Sequence, residues 1–112
     1  MSTENLELIR RGYEAFGRGD IGTVLGVLDP NIHWHIPGQR TQELAAGTFA
    51  IQVDDLLASA QRVAVLCTVS AQRHGQHWSA TEVHVWRVAN GRAVEFREYQ
   101  GDQQAEDEFW SR

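Results

Sequence analysis

Three ionisable side chains in the last third of the sequence are the strongest candidates for acid–base chemistry. Glu82 and His84 stand two residues apart in one alternating run, and Glu98 stands in the next run. Residues two apart on a β-strand share a face of the sheet. Charged groups inside a strand are costly unless they line a cavity or reach water. The pattern therefore predicts either a cavity lined with acid–base groups or a solvated ladder of paired charges.

A tight turn determines how these two runs meet. Asn90-Gly91 separates them, and both residues tolerate the positive φ that a two-residue hairpin turn requires. We therefore expect two antiparallel strands that bring their ionisable groups together. The residues that share one face of each strand are Glu82, His84, Trp86 and Val88 on the first and Val94, Phe96, Glu98 and Gln100 on the second.

Two further histidines lie in a shorter alternating run at residues 31–36. His33 and His35 fall on one face of that run, and Ile32 and Trp34 fall on the other. Two interpretations stay open for the histidines. They belong to a functional site, or they form the solvated face of an edge strand.

The N-terminal region has the period of helices. Residues 4–17 predict an amphipathic helix, and Asp20 is the expected N-cap of a second, shorter helix. Gly17 and Gly19 separate the two helices, since glycine favours the residue after a helix end. The apolar stripe of the first helix consists of Leu6, Ile9, Tyr13 and Phe16.

The order of elements predicts the fold class. Two helices precede five strands, which we place at residues 31–36, 48–53, 62–72, 78–88 and 92–100, with a loop at 39–47. Helices grouped before a run of strands are typical of an α+β fold, with the helices covering one face of a curved antiparallel sheet. We expect residues 1–112 to form a single domain.

Composition excludes several classes of partner. The chain has 10 Arg, no Lys and 15 acidic residues, for a formal net charge of -5, and it lacks a basic block. Nucleic acid and anionic membranes are therefore not expected partners. The single cysteine, Cys67, lies in an apolar run and predicts a buried, inert thiol. A lone cysteine and an N-terminus without a secretion pattern predict a cytoplasmic protein.

Both ends of the chain resemble a known family. Residues 11–38 read RGYEAFGRGDIGTVLGVLDPNIHWHIPG, and residues 82–99 read EVHVWRVANGRAVEFREY. They are similar to SnoaL-like domains of the nuclear transport factor 2-like, or ketosteroid isomerase-like, superfamily, which includes polyketide cyclases and steroid isomerases. The resemblance implies a cone-like sheet with the N-terminal helices on its concave face. The connection at 39–47 is shorter than in the family by roughly fifteen to twenty residues, about one helix and its loop.

The resemblance also implies roles for the ionisable residues. His35 lies on the strand where steroid isomerases place their general base, and His84 lies near their oxyanion donor. Glu98 matches the last-strand carboxylate that SnoaL-like cyclases use as a base. The implied activity is isomerisation, cyclisation or dehydration of a small apolar carbonyl compound, with no cofactor and no metal. The expected substrate-binding residues are Tyr13, Trp34, Glu82, Trp86 and Phe96.

Other functions stay open beside this one. The chain is also consistent with a non-catalytic binding module, or with a dimeric interaction module whose site is opened by the short connection. A homodimer is expected, since the outward faces of the last two strands mix apolar and charged groups. A less favoured hypothesis is a metal site that joins His33 and His35 to Glu82 and His84.

Overall fold

Two helices and five strands make up the described part of the protein. The computed structural model describes residues 2–35, 50–73 and 75–100. The helices are α1 (Ser2–Arg18) and α2 (Ile21–Val27), and the strands are β1 (Leu28–His35), β2 (Ala50–Ala58), β3 (Arg62–Arg73), β4 (Gln76–Ala89) and β5 (Arg92–Gln100). The α+β fold class is confirmed. The short connection predicted at residues 39–47 lies outside the described residues.

The sheet is antiparallel except at one edge. Its strand order is β1-β5-β4-β3-β2, so the last four strands form a meander in chain order. β1 pairs with β5 in parallel, placing Trp34 beside Phe96 and His35 beside Arg97. The sequence predicted an antiparallel sheet and did not predict the parallel pairing of β1 at its edge.

Local signals at two boundaries are confirmed. Asp20 caps α2, since one oxygen of its carboxylate accepts a hydrogen bond from the backbone N–H of Thr23 at 3.2 Å. Asn90 and Gly91 both have positive φ, 54° and 74°, and they join β4 to β5 in the predicted hairpin.

The core lies between α1 and the inner face of the sheet, which is the face turned towards the helices. α1 packs against β2 and β3, and the amide of Asn5 donates a hydrogen bond to the carbonyl of Ala60 at 3.0 Å. Alternate residues of β3 fill the centre of the core and are fully buried, because every second side chain points inward. These residues are Val63, Val65, Cys67, Val69 and Ala71.

A β-bulge changes which residue of β5 faces the core. Arg87 pairs with Glu95 and Val88 pairs with Ala93, so Val94 has no partner in the ladder. The turn pairs Val88 with the buried Ala93, so Ala93 and not the predicted Val94 faces the core, and the bulge then turns Phe96 to that same face. Beyond the bulge, Phe96, Glu98 and Gln100 keep the predicted face.

Among the described residues, no helix has the length and apolarity needed to cross a membrane.

Candidate functional site

The hairpin of β4 and β5 places four polar side chains on the inner face of the sheet. His84 lies opposite Glu98, and Glu82 lies opposite Gln100. On the other side of β4, Cys67 of β3 lies opposite Glu82. Because paired residues of a ladder project from the same face, these side chains meet under the helices.

His84 is held from both sides by protein groups. Its Nε2 lies 2.9 Å from Oε1 of Glu82, and its Nδ1 lies 2.5 Å from the hydroxyl oxygen of Tyr13. The indole N–H of Trp86 donates to the same hydroxyl oxygen at 3.0 Å. With a neutral imidazole, one consistent chain of donors runs from Trp86 to Tyr13, from Tyr13 to Nδ1, and from Nε2 to Glu82. Tyr13 reaches this chain from α1, so the helix and the hairpin both position His84.

Glu98 forms a second carboxylate beside the first. Its Oε1 lies 3.7 Å from Nε2 of His84, and its Oε2 accepts a hydrogen bond from the side-chain amide of Gln100 at 2.6 Å. Burial and then the nearby charge of Glu82 raise the pKa of Glu98 to about 7, although Gln100 and His84 act in the opposite direction. A carboxyl group with this pKa can both accept and give a proton near neutral pH.

Two other ionisable groups of the cluster keep their protons at neutral pH. Burial raises the pKa of the Tyr13 phenol well above its usual value of 10, so Tyr13 keeps a neutral hydroxyl group that can donate and accept hydrogen bonds. Burial, with the charges of Glu82 and Glu98, raises the pKa of the Cys67 thiol to about 12. Cys67 is therefore a thiol rather than a nucleophilic thiolate at neutral pH.

An aromatic wall borders the polar cluster. Phe96 contacts Trp86 and Trp34 with ring centroids 4.5 Å and 5.2 Å apart, and its ring lies 5.1 Å from that of His84. Trp34 is 48% exposed, so one end of the wall reaches solvent while the other end lies on His84. Of the predicted substrate-binding residues, Tyr13, Trp34, Trp86 and Phe96 are joined by ring contacts, and Glu82 contacts His84, while their binding role stays a prediction.

His35 is not part of this arrangement. Its Nε2 lies 3.4 Å from Oε2 of Glu95, which is on the outer face of β5, the face turned away from the helices. The side chain of Trp34 occupies the inner face, and the adjacent side chain must point the other way. The structure therefore brings His84 and Glu98 together and places His35 on the other face of the sheet, while the catalytic roles of all three stay predictions.

The alternative metal set is not assembled either. His33 lies opposite Glu95 in the ladder of β1 and β5, and His35 shares that outer face. Glu82 and His84 lie on the inner face, so the sheet separates the two pairs.

Two members of the cluster were not singled out from the sequence. Cys67 places its Sγ 3.7 Å from Nε2 of His84 and donates to the backbone carbonyl of Glu82 at 3.6 Å. Gln100 holds one oxygen of Glu98. The alternation of β3 puts Cys67 on the core face, but its nearness to His84 follows only from the register between β3 and β4.

Comparison with known proteins identifies a matching family model and several similar proteins. A family model described as SnoaL-like domain matches residues 9–96. The structure of Bal32a from a soil-derived mobile gene cassette is 31% identical, covers 97% of this chain and 98% of its own, and has a TM-score of 0.90. A Xanthomonas campestris protein of unknown function with a cystatin-like fold is 30% identical over 100% of both chains, with a TM-score of 0.86. The uncharacterized protein Rv0034 of Mycobacterium tuberculosis is 25% identical over 96% of both chains.

Proposed function

Because this chain belongs to the SnoaL-like domain family, we propose that its buried cluster transfers protons next to the carbonyl group of a small apolar compound. The reaction class is isomerisation, cyclisation or dehydration, with the acid and the base supplied by side chains. The observation that supports it best is the placement of Glu98 and Glu82 around one ring nitrogen of His84, beside an aromatic wall.

Glu98 is the proposed base. Its side chain is 14% exposed, whereas those of His84 and Glu82 are 4% and 3% exposed, so Glu98 is the member of this trio most open to a ligand. A neighbouring carboxylate within the same buried site favours the protonated form of one of the two. Glu98 would take a proton from the carbon beside the carbonyl and, in an isomerisation, return it to another carbon.

Tyr13 and His84 are the proposed donors to the oxygen on which negative charge develops. An enolate oxygen needs a positioned donor, and preorganised donors in a buried site contribute most to such reactions. The hydroxyl of Tyr13 and the ring of His84 are already paired with each other. A substrate oxygen must therefore replace one of the contacts made by His84 or Tyr13.

The exchange of carbon-bound protons tests this proposal directly. A cyclic β,γ-unsaturated ketone incubated with the protein in D2O should lose its α-proton signal in NMR spectra faster than in buffer. Glu98→Gln should slow this exchange by at least ~100-fold, since general acid–base groups contribute roughly 10²–10⁴-fold. Glu95→Gln is the matched control, because Glu95 is on the same strand but the outer face. Equal exchange in Glu98→Gln would contradict the base assignment.

A non-catalytic binding module is the second candidate. It is favoured by the fact that both nitrogens of His84 are occupied by protein groups, as expected of a network that stabilises the fold. In that case a planar apolar ligand would quench the fluorescence of the exposed Trp34 without any proton exchange. Trp34→Phe, which keeps an aromatic ring, would identify which tryptophan reports the binding.

A homodimer through the outer face is also proposed. Leu66, Val83 and Tyr99 form one row across three paired strands, and Leu66 and Tyr99 are exposed despite their apolar surface. A two-fold axis across this row would bury it against its own copy. Leu66→Glu should convert the dimer to a monomer in sedimentation experiments. Leu25→Glu is the control, since Leu25 is also exposed but lies on α2.

A cytoplasmic location is likewise a proposal. It is supported by the buried, unpaired thiol of Cys67, which suits a reducing compartment. Cell fractionation with an antibody against the native chain tests it.

A further inference from the structure

The inner-face cluster contains a sulfur donor that proton transfer does not use. Cys67, Glu82 and His84 are all buried, and one donor atom from each lies within 4.8 Å of the other two. They come from two neighbouring strands whose register is fixed by the ladder that pairs Cys67 with Glu82. Thiolate, imidazole and carboxylate together are the donors that Zn²⁺ takes in proteins.

The distances from Nε2 of His84 to the other donors are near those of a tetrahedral centre. Zn²⁺ bonds of about 2.0–2.3 Å place neighbouring donor atoms roughly 3.3–3.7 Å apart. Nε2 of His84 lies 3.7 Å from Sγ of Cys67 and 3.7 Å from Oε1 of Glu98. Oε1 of Glu82 lies 2.9 Å from Nε2, so it would move outward by less than about 1 Å.

The surroundings of the donors already orient them. Ligand histidines usually pair their second ring nitrogen with another group, and Tyr13 occupies Nδ1 of His84. Trp86 in turn holds the hydroxyl of Tyr13. Gln100 binds Oε2 of Glu98, which leaves Oε1 as the oxygen nearest His84.

We propose that Cys67, Glu82 and His84, with Glu98 as fourth donor, bind one divalent ion of the zinc class. The sulfur donor favours Zn²⁺ and Co²⁺ over Mg²⁺ and Ca²⁺, which require oxygen ligands. This inference does not rest on the proposed function, because it requires no substrate. If the metal site and the proposed function are both right, the ion binds the Glu98 carboxylate and reversibly inhibits proton transfer.

Metal binding displaces the protons on Sγ of Cys67 and on Nε2 of His84. The S–H bond of Cys67 breaks as the metal–sulfur bond forms, and that proton leaves to solvent. The imidazole proton ends on Nδ1, where the oxygen of Tyr13 accepts it, so His84 stays neutral. Binding should therefore release ~1 proton per ion, and one more if a carboxyl group was protonated beforehand.

Co²⁺ is the probe for this site, since its spectrum reports both geometry and sulfur ligation. Tag-free, metal-free protein titrated with Co²⁺ should bind one equivalent and develop a near-ultraviolet sulfur-to-cobalt charge-transfer band. Zn²⁺ should displace the Co²⁺ and remove the band. Cys67→Ser should abolish the band, and Glu82→Gln should weaken Zn²⁺ binding by at least ~10-fold.

His35→Asn provides the matched control. His35 and Glu95 form a partly exposed pair on the outer face that resembles the inner His84–Glu82 pair, so an ion bound adventitiously at that pair would be lost in this variant. The proposal is overturned if wild-type protein shows no charge-transfer band, or if His35→Asn removes the bound Co²⁺.

The wild-type spectrum decides the question even if Cys67→Ser does not fold, which circular dichroism would show. Because the titration contains no ketone, its outcome is separate from the exchange experiment. A cobalt band without proton exchange supports the metal site and contradicts the acid–base proposal. Proton exchange without a cobalt band supports the acid–base proposal and contradicts the metal site.

Discussion

Two glutamates of β5, three residues apart, lie in opposite electrostatic surroundings. Glu95 projects from the outer face and has three basic neighbours, with distances of 3.4 Å to His35, 3.8 Å to Arg87 and 3.7 Å to Arg97. Glu98 projects from the inner face, where another carboxylate lies beside it and burial raises its pKa to about 7. The strand and the residue type are the same, so the face of the sheet alone produces the difference.

The two histidine–glutamate pairs repeat this contrast. Both the His84–Glu82 pair and the His35–Glu95 pair join an Nε2 atom to a carboxylate oxygen. The inner pair is almost wholly buried, and His84 also binds Tyr13. The outer pair is partly exposed, with His35 at 44% and Glu95 at 22%, and it shares its carboxylate with two arginines. Removing one partner should cost more on the inner face, because the remaining buried group cannot be hydrated, whereas water can replace a lost contact on the outer face.

The largest expected effect is that of removing the inner histidine. His84→Ala should lower the free energy of unfolding by about 3–5 kcal/mol, because it leaves buried groups on Glu82 and Tyr13 unpaired. His35→Ala should change it by less than about 1 kcal/mol, as expected of an exposed pair. Urea denaturation followed by circular dichroism measures both. Equal losses of unfolding free energy in the two variants would show that burial on the inner face does not increase the cost of losing a histidine.

Two Tyr→Phe substitutions compare the inner and outer faces of the sheet while keeping the aromatic rings in place. Tyr13→Phe deletes a hydroxyl that accepts from Trp86 and contacts His84, and it should cost about 1–3 kcal/mol because buried partners lose their hydrogen bond. Tyr99→Phe, made in the Leu66→Glu variant so that the proposed dimer is absent, deletes an exposed hydroxyl and should change the free energy of unfolding by less than about 0.5 kcal/mol. The prediction fails if Tyr13→Phe is as stable as the wild-type protein.

Neutralising the inner glutamate should stabilise the protein at high pH. Between about pH 4.5 and about pH 7 the Glu98 carboxyl ionises in the unfolded chain while the folded chain keeps its proton, so the free energy of unfolding falls as pH rises. At pH 8, Glu98→Gln should therefore be more stable than wild type by about 1–2 kcal/mol, after allowance for the partial exposure of the group. Urea denaturation in chelator-containing buffer at pH 4 and pH 8 measures this.

The control for that prediction is the outer glutamate. Glu95→Gln removes contacts with basic side chains, so it should be slightly less stable than wild type at pH 8. A Glu98→Gln variant that is less stable than wild type at pH 8 would mean that the carboxylate is better satisfied inside the fold than its neighbours indicate.

Local sequence patterns were sufficient to predict the hairpin and the shared face of its first strand. The period of two placed Glu82, His84 and Trp86 together, and Asn90-Gly91 predicted the turn. These features depend on residues close in sequence, which is why they could be read without the structure. The N-cap at Asp20 is local in the same sense. The pairing of Glu98 with His84 is different, because the turn alone would put Arg97 there and the bulge at Val94 shifts the register by one residue.

The resemblance groups His35 with the site, whereas the alternation of β1 places its side chain on the other face of the sheet. Trp34 and His35 are adjacent on one strand, so they cannot both face the same site. The sequence already showed the apolar members of β1 on one side and the histidines on the other. Packing of Trp34 on Phe96 decides which side faces inward, and that contact requires the parallel pairing of β1 with β5.

Contacts distant in sequence explain the other differences. The bulge at Val94 has no clear residue signal and depends on how Val88 and Ala93 pack in the core. Cys67 reaches His84 through the pairing of β3 with β4, and Tyr13 reaches it from a helix seventy-one residues away. Such neighbours follow from the register of strands and the placement of α1, which no single stretch of sequence specifies.

The smallest expected effect concerns salt, and it separates the two faces most cleanly. Arg87→Gln removes one of the exposed contacts of Glu95 and should cost less than about 1 kcal/mol at low ionic strength. At about 1 M salt this cost should vanish, because the screening length falls to about 3 Å. The cost of His84→Ala should persist in the same salt, since it comes from unpaired buried groups. A cost for His84→Ala that disappears with salt would mean that water and ions reach the inner face as freely as the outer one.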